Sequence, residues 1–289
     1  MLIRNISKIL IIKIIMIIFV YPCMVSAETG TCGSNATATC KWETIDLPNG
    51  EKQLVISREG SGTVSVNPGW AARPWGSGIS EIVILEGIRS IGDGAFNLQR
   101  GVKSVDMSEA KDLTTIERAA FANIPSLKMV IMPENLTSVY YDRNNDFGNQ
   151  LFEGSGIEKI YCTAAQMTGA CSKLAADYNV QKYEQDGDYY IVYDSEDNIS
   201  AIFDSSSDFQ HNRVSDGSYT KKDENGKPIA QYDGRGNIIT SYTYSNDGSI
   251  SIRDKNGKLI GIHGKRILTV EEASALVKDN KNTFSIRYR

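Results

Sequence analysis

The chain has 289 residues, with 31 basic and 35 acidic side chains and a formal net charge of −4 at pH 7. Its basic residues form no stripe, and the pair Lys221-Lys222 is followed at once by Asp223 and Glu224. Because binding to phosphate groups requires clustered Lys and Arg, this composition argues against nucleic acid as a partner.

The first 27 residues have the organisation of a signal peptide, with a basic start, a short apolar middle and a small-residue end. The apolar run over residues 14–21 is well short of the ~20 residues that span a bilayer, which argues against a membrane anchor. Pro22 is unfavourable directly before a lipidated Cys23. We therefore expect cleavage between Ala27 and Glu28 and an exported chain without a membrane span, located in the periplasm, on the cell surface or outside the cell.

Three stretches between residues 79 and 155 repeat one another, and a shortened fourth stretch starts at Ile157. Each full stretch has an alternating apolar segment, a second apolar group and then a matching Phe, namely Phe96, Phe121 or Phe152. A unit of about 20–30 residues is typical of a solenoid, in which each coil buries its apolar side only against its neighbours. We therefore predict that the three Phe residues align along one core and that the coils offer a broad surface.

The segment Ser90–Phe96 (SIGDGAF), with Met132-Pro133 and Leu136 in the third stretch, resembles the BspA-like leucine-rich-repeat family of bacterial exported and surface proteins. The resemblance runs from Thr31 to about Cys171. It implies a mainly β fold, in which an N-terminal β cap precedes a short leucine-rich-repeat solenoid, and a binding or adhesion role at the cell envelope. The third unit departs from the family pattern, because an insertion interrupts it.

The four cysteines beyond the leader fall into two local pairs, Cys32 with Cys40 and Cys162 with Cys171. In an oxidising compartment we expect two disulfide bonds, one at the entry and one at the exit of the repeats. The gaps within the pairs exceed those of zinc knuckles, and neither pair has a His nearby. We therefore predict no metal, and no other cofactor is indicated.

After about Lys182 the sequence consists of short runs rich in Ile, Tyr and Thr between Gly-containing turns, which predicts a meander of β-hairpins with two-residue turns. One copy, Tyr232–Ile238, weakly resembles the YD repeat of bacterial Rhs-type proteins. The strings that begin at Asp223 and Asp254 lack the Glu at the twelfth position of an EF-hand loop, so we interpret them as turns and not as calcium sites. The polar segment Asp204–Gly217 is predicted to be a loop.

A capping box at Thr269–Glu272 predicts a short helix to about Lys278, and Thr283–Tyr288 alternates as a strand. The patterns together predict five parts. These are a signal peptide (1–27), an N-terminal β cap (28–78), the leucine-rich repeats (79–182), a β-hairpin module (183–264) and a C-terminal helix–strand segment (265–289).

The sequence contains no set of residues typical of a catalytic site, and we predict that the protein is not an enzyme. Its two histidines are His211, near Ser207 and Asp208 in the polar loop, and His263 in a hairpin run. Proximity in sequence gives no catalytic geometry, so we expect His211 to lie in a surface loop and His263 to be a half-buried strand residue.

Large insertions on solenoids often lie on the binding face, so we predict binding through the insertion in the third repeat and the aromatic residues before it. Trp70 is a further aromatic candidate, whereas Trp75 is expected to cap the first repeat. The expected ligand is a protein or a glycan of the host or the envelope. The alternatives are a structural envelope protein without a ligand, and an enzyme with an unrecognised site in the C-terminal module. The predicted binding residues are Tyr140, Tyr141, Asp142, Arg143, Asn144, Asn145, Asp146 and Phe147.

Overall fold

The computed structural model describes residues 27–68, 74–141 and 150–264, and the chain is mainly β. Four of the predicted features lie outside the described residues. They are most of the predicted signal peptide, Trp70, the insertion residues Asp142–Phe147 and the segment after Gly264. In chain order, the strands are β1 (Thr29–Ser34), β2 (Ala38–Asp46), β3 (Lys52–Gly60), β4 (Val64–Val66), β5 (Ile79–Ile84), β6 (Ile88–Ile91), β7 (Ser104–Asp106), β8 (Thr115–Ile116), β9 (Met129–Ile131), β10 (Ser138–Val139), β11 (Lys159–Thr163), β12 (Val180–Asp186), β13 (Tyr189–Tyr193), β14 (Ile199–Phe203), β15 (Ser218–Lys222), β16 (Pro228–Asp233), β17 (Ile238–Tyr244), β18 (Ile250–Asp254) and β19 (Leu259–His263), and the short helices are α1 (Ala164–Met167), α2 (Ala170–Leu174) and α3 (Ser206–Gln210).

The repeats form coils between two sheets. Strands β3, β5, β7, β9 and β11 are parallel neighbours in a ten-stranded sheet, and β4, β6, β8 and β10 form a parallel four-stranded sheet on the other side. Each coil therefore contributes one strand to each sheet, and alternate apolar positions, such as Ile82, Val105 and Val130 in the ten-stranded sheet, face the space between the sheets. The predicted leucine-rich-repeat solenoid is confirmed.

The matching positions of the Phe residues in the repeats produce a ladder of stacked rings inside the solenoid. Ring centroids are 5.1 Å apart for Trp75 and Phe96, 5.3 Å for Phe96 and Phe121, and 5.9 Å for Phe121 and Phe152. Tyr178 closes the ladder with its ring edge-on to Phe152 at 5.7 Å. The three Phe residues share one core, as the repeat pattern predicts, and Trp75 is buried at its entry.

Both ends of the solenoid carry a disulfide bond. Cys32 and Cys40 join the β1–β2 hairpin, with a Cα–Cα distance of 5.0 Å. Cys162 and Cys171 join β11 to α2 across 6.6 Å. All four cysteines are buried in the solenoid core.

The predicted meander is present as the five-stranded antiparallel sheet β15–β19. Its turns differ from the predicted two-residue type. At Asp223 the backbone pairs with Lys227, so that three residues form the turn and Gly226 takes a φ of +76°. The Asp223 Oδ1 atom accepts the N–H groups of Asn225 and Lys227, and the turns at Asp233 and Asp254 repeat this arrangement. These carboxylates serve as turn formers.

The polar segment Asp204–Gly217 is not a plain loop, because it contains α3. Ser205 caps this helix by accepting the N–H of Asp208 through its hydroxyl at 3.1 Å. Phe209 is fully buried, and its ring lies 4.4 Å from that of Tyr161 and 5.0 Å from that of Phe203. The prediction of a loop is wrong here, since the apolar partners of Phe209 come from strands that are distant in sequence.

Candidate functional site

The four-stranded sheet presents a row of hydroxyl groups on its outer side. Strand pairing places Ser65 beside Ser90, Ser90 beside Thr115, and Thr115 beside Ser138. The row arises because each short strand buries an aliphatic residue next to the hydroxyl, and neighbouring strands lie about 4.8 Å apart. The Ser90 hydroxyl donates to Ser65 Oγ at 2.6 Å.

A second row runs beside the first and is more exposed. Arg89 and Thr137 are exposed and flank the half-buried Thr114. The Thr137 hydroxyl donates to the Thr114 carbonyl at 2.9 Å, which fixes the spacing of the row. We call the two rows together the open face, which comprises Ser65, Arg89, Ser90, Thr114, Thr115, Thr137 and Ser138.

The predicted binding residues begin where the open face ends. Tyr140 follows β10, is half-buried, and donates its backbone N–H to the Ile116 carbonyl at 2.9 Å. Tyr141 packs partly against the solenoid core, with its ring 6.4 Å from that of Tyr178. The structure thus places the two tyrosines at the base of the insertion, and Asp142–Phe147 lie outside the described residues.

The outer side of the ten-stranded sheet is different, because the chain covers part of it. Residues 204–217, which we call the clasp, place α3 against β7, β13 and β14, and its Phe209 contacts Tyr161 of β11. Phe209 fills an aromatic pocket that also includes Tyr183 and Tyr190, with ring centroids at 5.5 Å and 5.0 Å. Met129 and Ile131 complete the same buried cluster. This face is therefore closed where the coils would otherwise present a second surface.

Two buried carboxylates lie under the clasp. Asp106 is 4% exposed, and its Oδ2 atom accepts the Gln210 side-chain amide at 2.6 Å. Burial raises the pKa of Asp106, although bonds from Ser108 and Gln210 oppose that effect. Glu81 is 5% exposed and accepts from Gln53 through Oε2 at 2.9 Å, while its Oε1 atom lies 2.9 Å from His211 Nε2.

Ser207, His211 and Glu81 line up in the order of a nucleophile, a base and an acid. The His211 Nδ1 atom lies 3.4 Å from Ser207 Oγ but only 2.6 Å from the Ser207 backbone carbonyl oxygen. A ring nitrogen that donates to this carbonyl has no lone pair left for the hydroxyl proton. The sequence placed His211 in a surface loop and missed its partner Glu81, which lies 130 positions away.

The remaining candidates form no chemical site among the residues that the structure describes. His263 ends β19 and is exposed. In the described ranges, no three His, Cys, Asp or Glu side chains are close enough to hold a metal ion. A shallow cavity of about 390 Å³ lies between the turns Gly76–Gly78 and Leu98–Gly101 and is lined largely by backbone. The described helices are all too short or too polar to cross a membrane.

Comparison with known proteins supports the identity of the coils. The family model described as BspA type Leucine rich repeat region (6 copies) matches residues 75–143. Residues 75–143 are a BspA-type leucine-rich repeat region. The resemblance stated from Ser90–Phe96 is thereby confirmed for residues 75–143, which include Phe96 and Phe121 of the phenylalanine ladder.

One similar solved structure is a leucine rich cell surface protein from Faecalibacterium prausnitzii A2-165. The sequence identity is 10% and the TM-score is 0.21, and the match covers 59% of this chain and 60% of that chain. The chain therefore spans less than two thirds of the length of that protein. No curated protein matches the chain.

Proposed function

We propose that this BspA-type repeat protein is exported and acts at the bacterial cell envelope as a non-catalytic module for binding or adhesion, with a protein or a glycan as its ligand. The observation that carries the proposal is the contrast between the two sides of the coils. The clasp covers part of the ten-stranded sheet, whereas the open face keeps exposed Arg, Ser and Thr side chains that lead to Tyr140 and the insertion.

The chemistry of the open face fits a ligand rich in hydroxyl or carbonyl groups. Each Ser or Thr hydroxyl can donate one hydrogen bond and accept others, and Arg89 adds a cationic donor. The backbone beneath these side chains is held by strand pairing, since β6 and β8 pair with neighbours on both sides and β4 and β10 with a neighbour on one side. Rigid placement of polar groups lowers the entropy cost of binding. The insertion would add contacts at one end of the face.

Export is supported by the signal-peptide pattern and by the two disulfide pairs. Cysteines that pair in this way are typical of proteins that fold in an oxidising compartment. The proposal places the mature chain, which starts at Glu28, in the periplasm, on the surface or outside the cell.

The test is a binding screen of the mature chain against immobilised glycans and purified host-matrix and envelope proteins. Thr137→Arg places a large charged side chain at the end of the open face that leads to Tyr140, at an exposed position. We expect at least a tenfold loss of affinity for any ligand found, and a similar loss when residues 142–149 are replaced by a short Gly-Ser linker.

Thr243→Arg is the matched control, because Thr243 is equally exposed but lies on the C-terminal meander. Binding should be unchanged in this variant. Equal losses for Thr137→Arg and Thr243→Arg would refute the assignment of the open face. An envelope defect in a deletion strain, with no ligand retained in the screen, would favour the structural alternative.

A further inference from the structure

The shallow cavity at the entry of the solenoid lies beside two turns of different character. It measures about 390 Å³ and separates the turn Gly76–Gly78 from the turn Leu98–Gly101. Gly76 and Gly78 have φ values of +72° and +85°, and a Cβ added to either would meet nothing within 4 Å. The first turn therefore presents bare backbone to open space. The cavity volume falls within the range of small-molecule sites, about 300–1,000 Å³.

Two side chains of the second turn supply polar groups to the cavity wall. Arg100 is exposed, and it is the one charged residue among those that line the cavity. Gln99 is 5% exposed, and its side-chain Nε2 atom has no hydrogen-bond partner in the described part of the chain. A buried amide without a partner costs free energy, and such groups usually meet a protein group, a water molecule or a ligand.

The next coil shows that the repeat does not require a polar residue at this position. Gln99 and Ile124 are 25 positions apart, which is also the spacing of the first two phenylalanines of the ladder. The Gln99 carbonyl accepts the Val102 N–H at 3.0 Å. The Ile124 carbonyl accepts the Leu127 N–H at the same distance, so the two residues occupy equivalent positions. Ile124 is fully buried in the core, whereas the first coil places an unpaired amide there.

We propose that this cavity binds the carboxylate group of a small organic acid or of an acidic sugar residue, with Arg100 as the cationic partner and the Gln99 amide as a second donor. A guanidinium group pairs with a carboxylate through two parallel hydrogen bonds, and one arginine balances one carboxylate charge. None of the residues that line the cavity belongs to the open face. The inference therefore does not rest on the proposed function.

The backbone of the second turn is held by hydrogen bonds, so only the Gln99 amide has to adjust to a ligand. The Gln99 N–H donates to the Phe96 carbonyl at 3.2 Å, and the Leu98 N–H donates to the Ala122 carbonyl at 3.1 Å. The last torsion of a glutamine side chain is broad and roughly two-fold, so a rotation exchanges the oxygen and the NH2 group. Binding then gives this NH2 group the acceptor that it lacks.

The test is an NMR titration of the mature chain with D-glucuronate, which follows the amides of both turns and the side-chain NH2 signal of Gln99. D-glucose is the matched neutral probe, because it has the same ring without the carboxylate. Propionate is a carboxylate without a sugar ring. We expect glucuronate to shift these signals and glucose to bind at least tenfold more weakly. Equal affinities for propionate and glucuronate would assign the site to small acids, and a clear preference for glucuronate to acidic sugars.

Three variants complete the experiment. Arg100→Gln removes the charge at an exposed position and should weaken glucuronate binding at least tenfold. Arg235→Gln is the matched control, because Arg235 is also exposed but lies in a turn of the meander. Gln99→Leu introduces an aliphatic side chain of similar size, as in the next coil. This variant should also lose affinity, yet its melting temperature should rise, because no buried amide remains unpaired.

The site is refuted if glucose shifts the signals of the two turns as strongly as glucuronate does. It is also refuted if neither carboxylate shifts them at concentrations up to about 20 mM, where even a millimolar site would be filled. Equal losses for Arg100→Gln and Arg235→Gln would indicate nonspecific ion binding and would refute it as well. If Gln99→Leu fails to fold, Arg100→Gln and its control still decide, because both positions are exposed.

Discussion

The solenoid and the C-terminal meander are both built from short strands and Gly-containing turns, but they bury their side chains to very different extents. In the solenoid, inward residues of both sheets meet in one core that holds the phenylalanine ladder. In the meander, Tyr219 and Ala230 are the only buried residues of the five described strands. Coils stack on one another through apolar layers, whereas the meander strands join mainly through backbone hydrogen bonds.

The difference shows that a repeated turn sets the strand order but does not by itself create a core. The meander is held at its first two strands, where Tyr219 packs against Tyr189 at 5.3 Å and donates to Asp186 at 2.8 Å. A hydrogen bond from the Ile202 N–H to the Gly234 carbonyl ties the same end to β14. We therefore expect the meander to depend on the solenoid side for its stability, and not the reverse.

The largest expected effect is on the phenylalanine ladder. Phe121→Ala should lower the free energy of unfolding by about 3–5 kcal/mol, because it removes a fully buried ring between two stacked neighbours and leaves a cavity. Urea denaturation followed by tryptophan fluorescence measures this loss, since Trp42 and Trp75 both lie in the solenoid core.

Tyr242→Ala is the matched aromatic deletion in the meander. Tyr242 is half-buried and has one long hydrogen bond from Thr240 at 3.3 Å. We expect a loss of at most about 1 kcal/mol from the smaller change in buried area. Comparable losses for the two variants would show that the meander has a core of its own, and would contradict the difference in burial between the two regions.

The next effect concerns the exit of the solenoid. Replacing both Cys162 and Cys171 by Ala should cost about 2–3 kcal/mol, because the disulfide closes a loop of nine positions in the unfolded chain. Differential scanning calorimetry of the variant and the wild type measures the shift in melting temperature. The same exchange at Cys32 and Cys40, which are eight positions apart, should give a loss of similar size at the entry.

The sequence was sufficient for the solenoid because the pattern is local and repeated. Phe96, Phe121 and Phe152 recur at matching positions of the repeat, so their alignment follows from the stacking of similar units. The turn glycines of the meander could equally be recognised from the sequence. In the structure Gly226 and Gly248 both adopt a positive φ, which glycine allows. Only the predicted turn length was wrong. The turn has three residues instead of two, and the extra residue is accommodated by a β-bulge that the amino-acid composition does not indicate.

The clasp could not be predicted from its own residues. Phe209 is the one large apolar side chain in the run from Asp204 to Arg213, and its partners lie on strands that start up to 80 positions earlier. Glu81 and Asp106 are also polar residues at strand positions that look solvent-facing in sequence. A Ser205–Asp208 cap followed by an isolated Phe was the available signal for α3.

A further expected effect, smaller than those of Phe121→Ala and of the disulfide variants, tests the junction between the two regions. Gly236 and Gly226 occupy equivalent turn positions with φ values of +79° and +76°. Alanine at either position should cost about 1–2 kcal/mol, because L-residues are disfavoured in this conformation. A Cβ at Gly226 would meet nothing within 4 Å, but a Cβ at Gly236 would lie 2.2 Å from the Ile199 carbonyl oxygen.

Gly236→Ala must therefore also move the turn away from β14. Gly226→Ala requires no such movement, because nothing lies within 4 Å of its new Cβ. Hydrogen exchange of the Ile202 amide, which donates to Gly234, reports this separation. We expect faster exchange at Ile202 in Gly236→Ala and an unchanged rate in Gly226→Ala, with the solenoid amides protected in both. If the amides of β5 and β7 lost protection as well, stability would pass from the meander to the coils, in the opposite direction to that expected from their different burial.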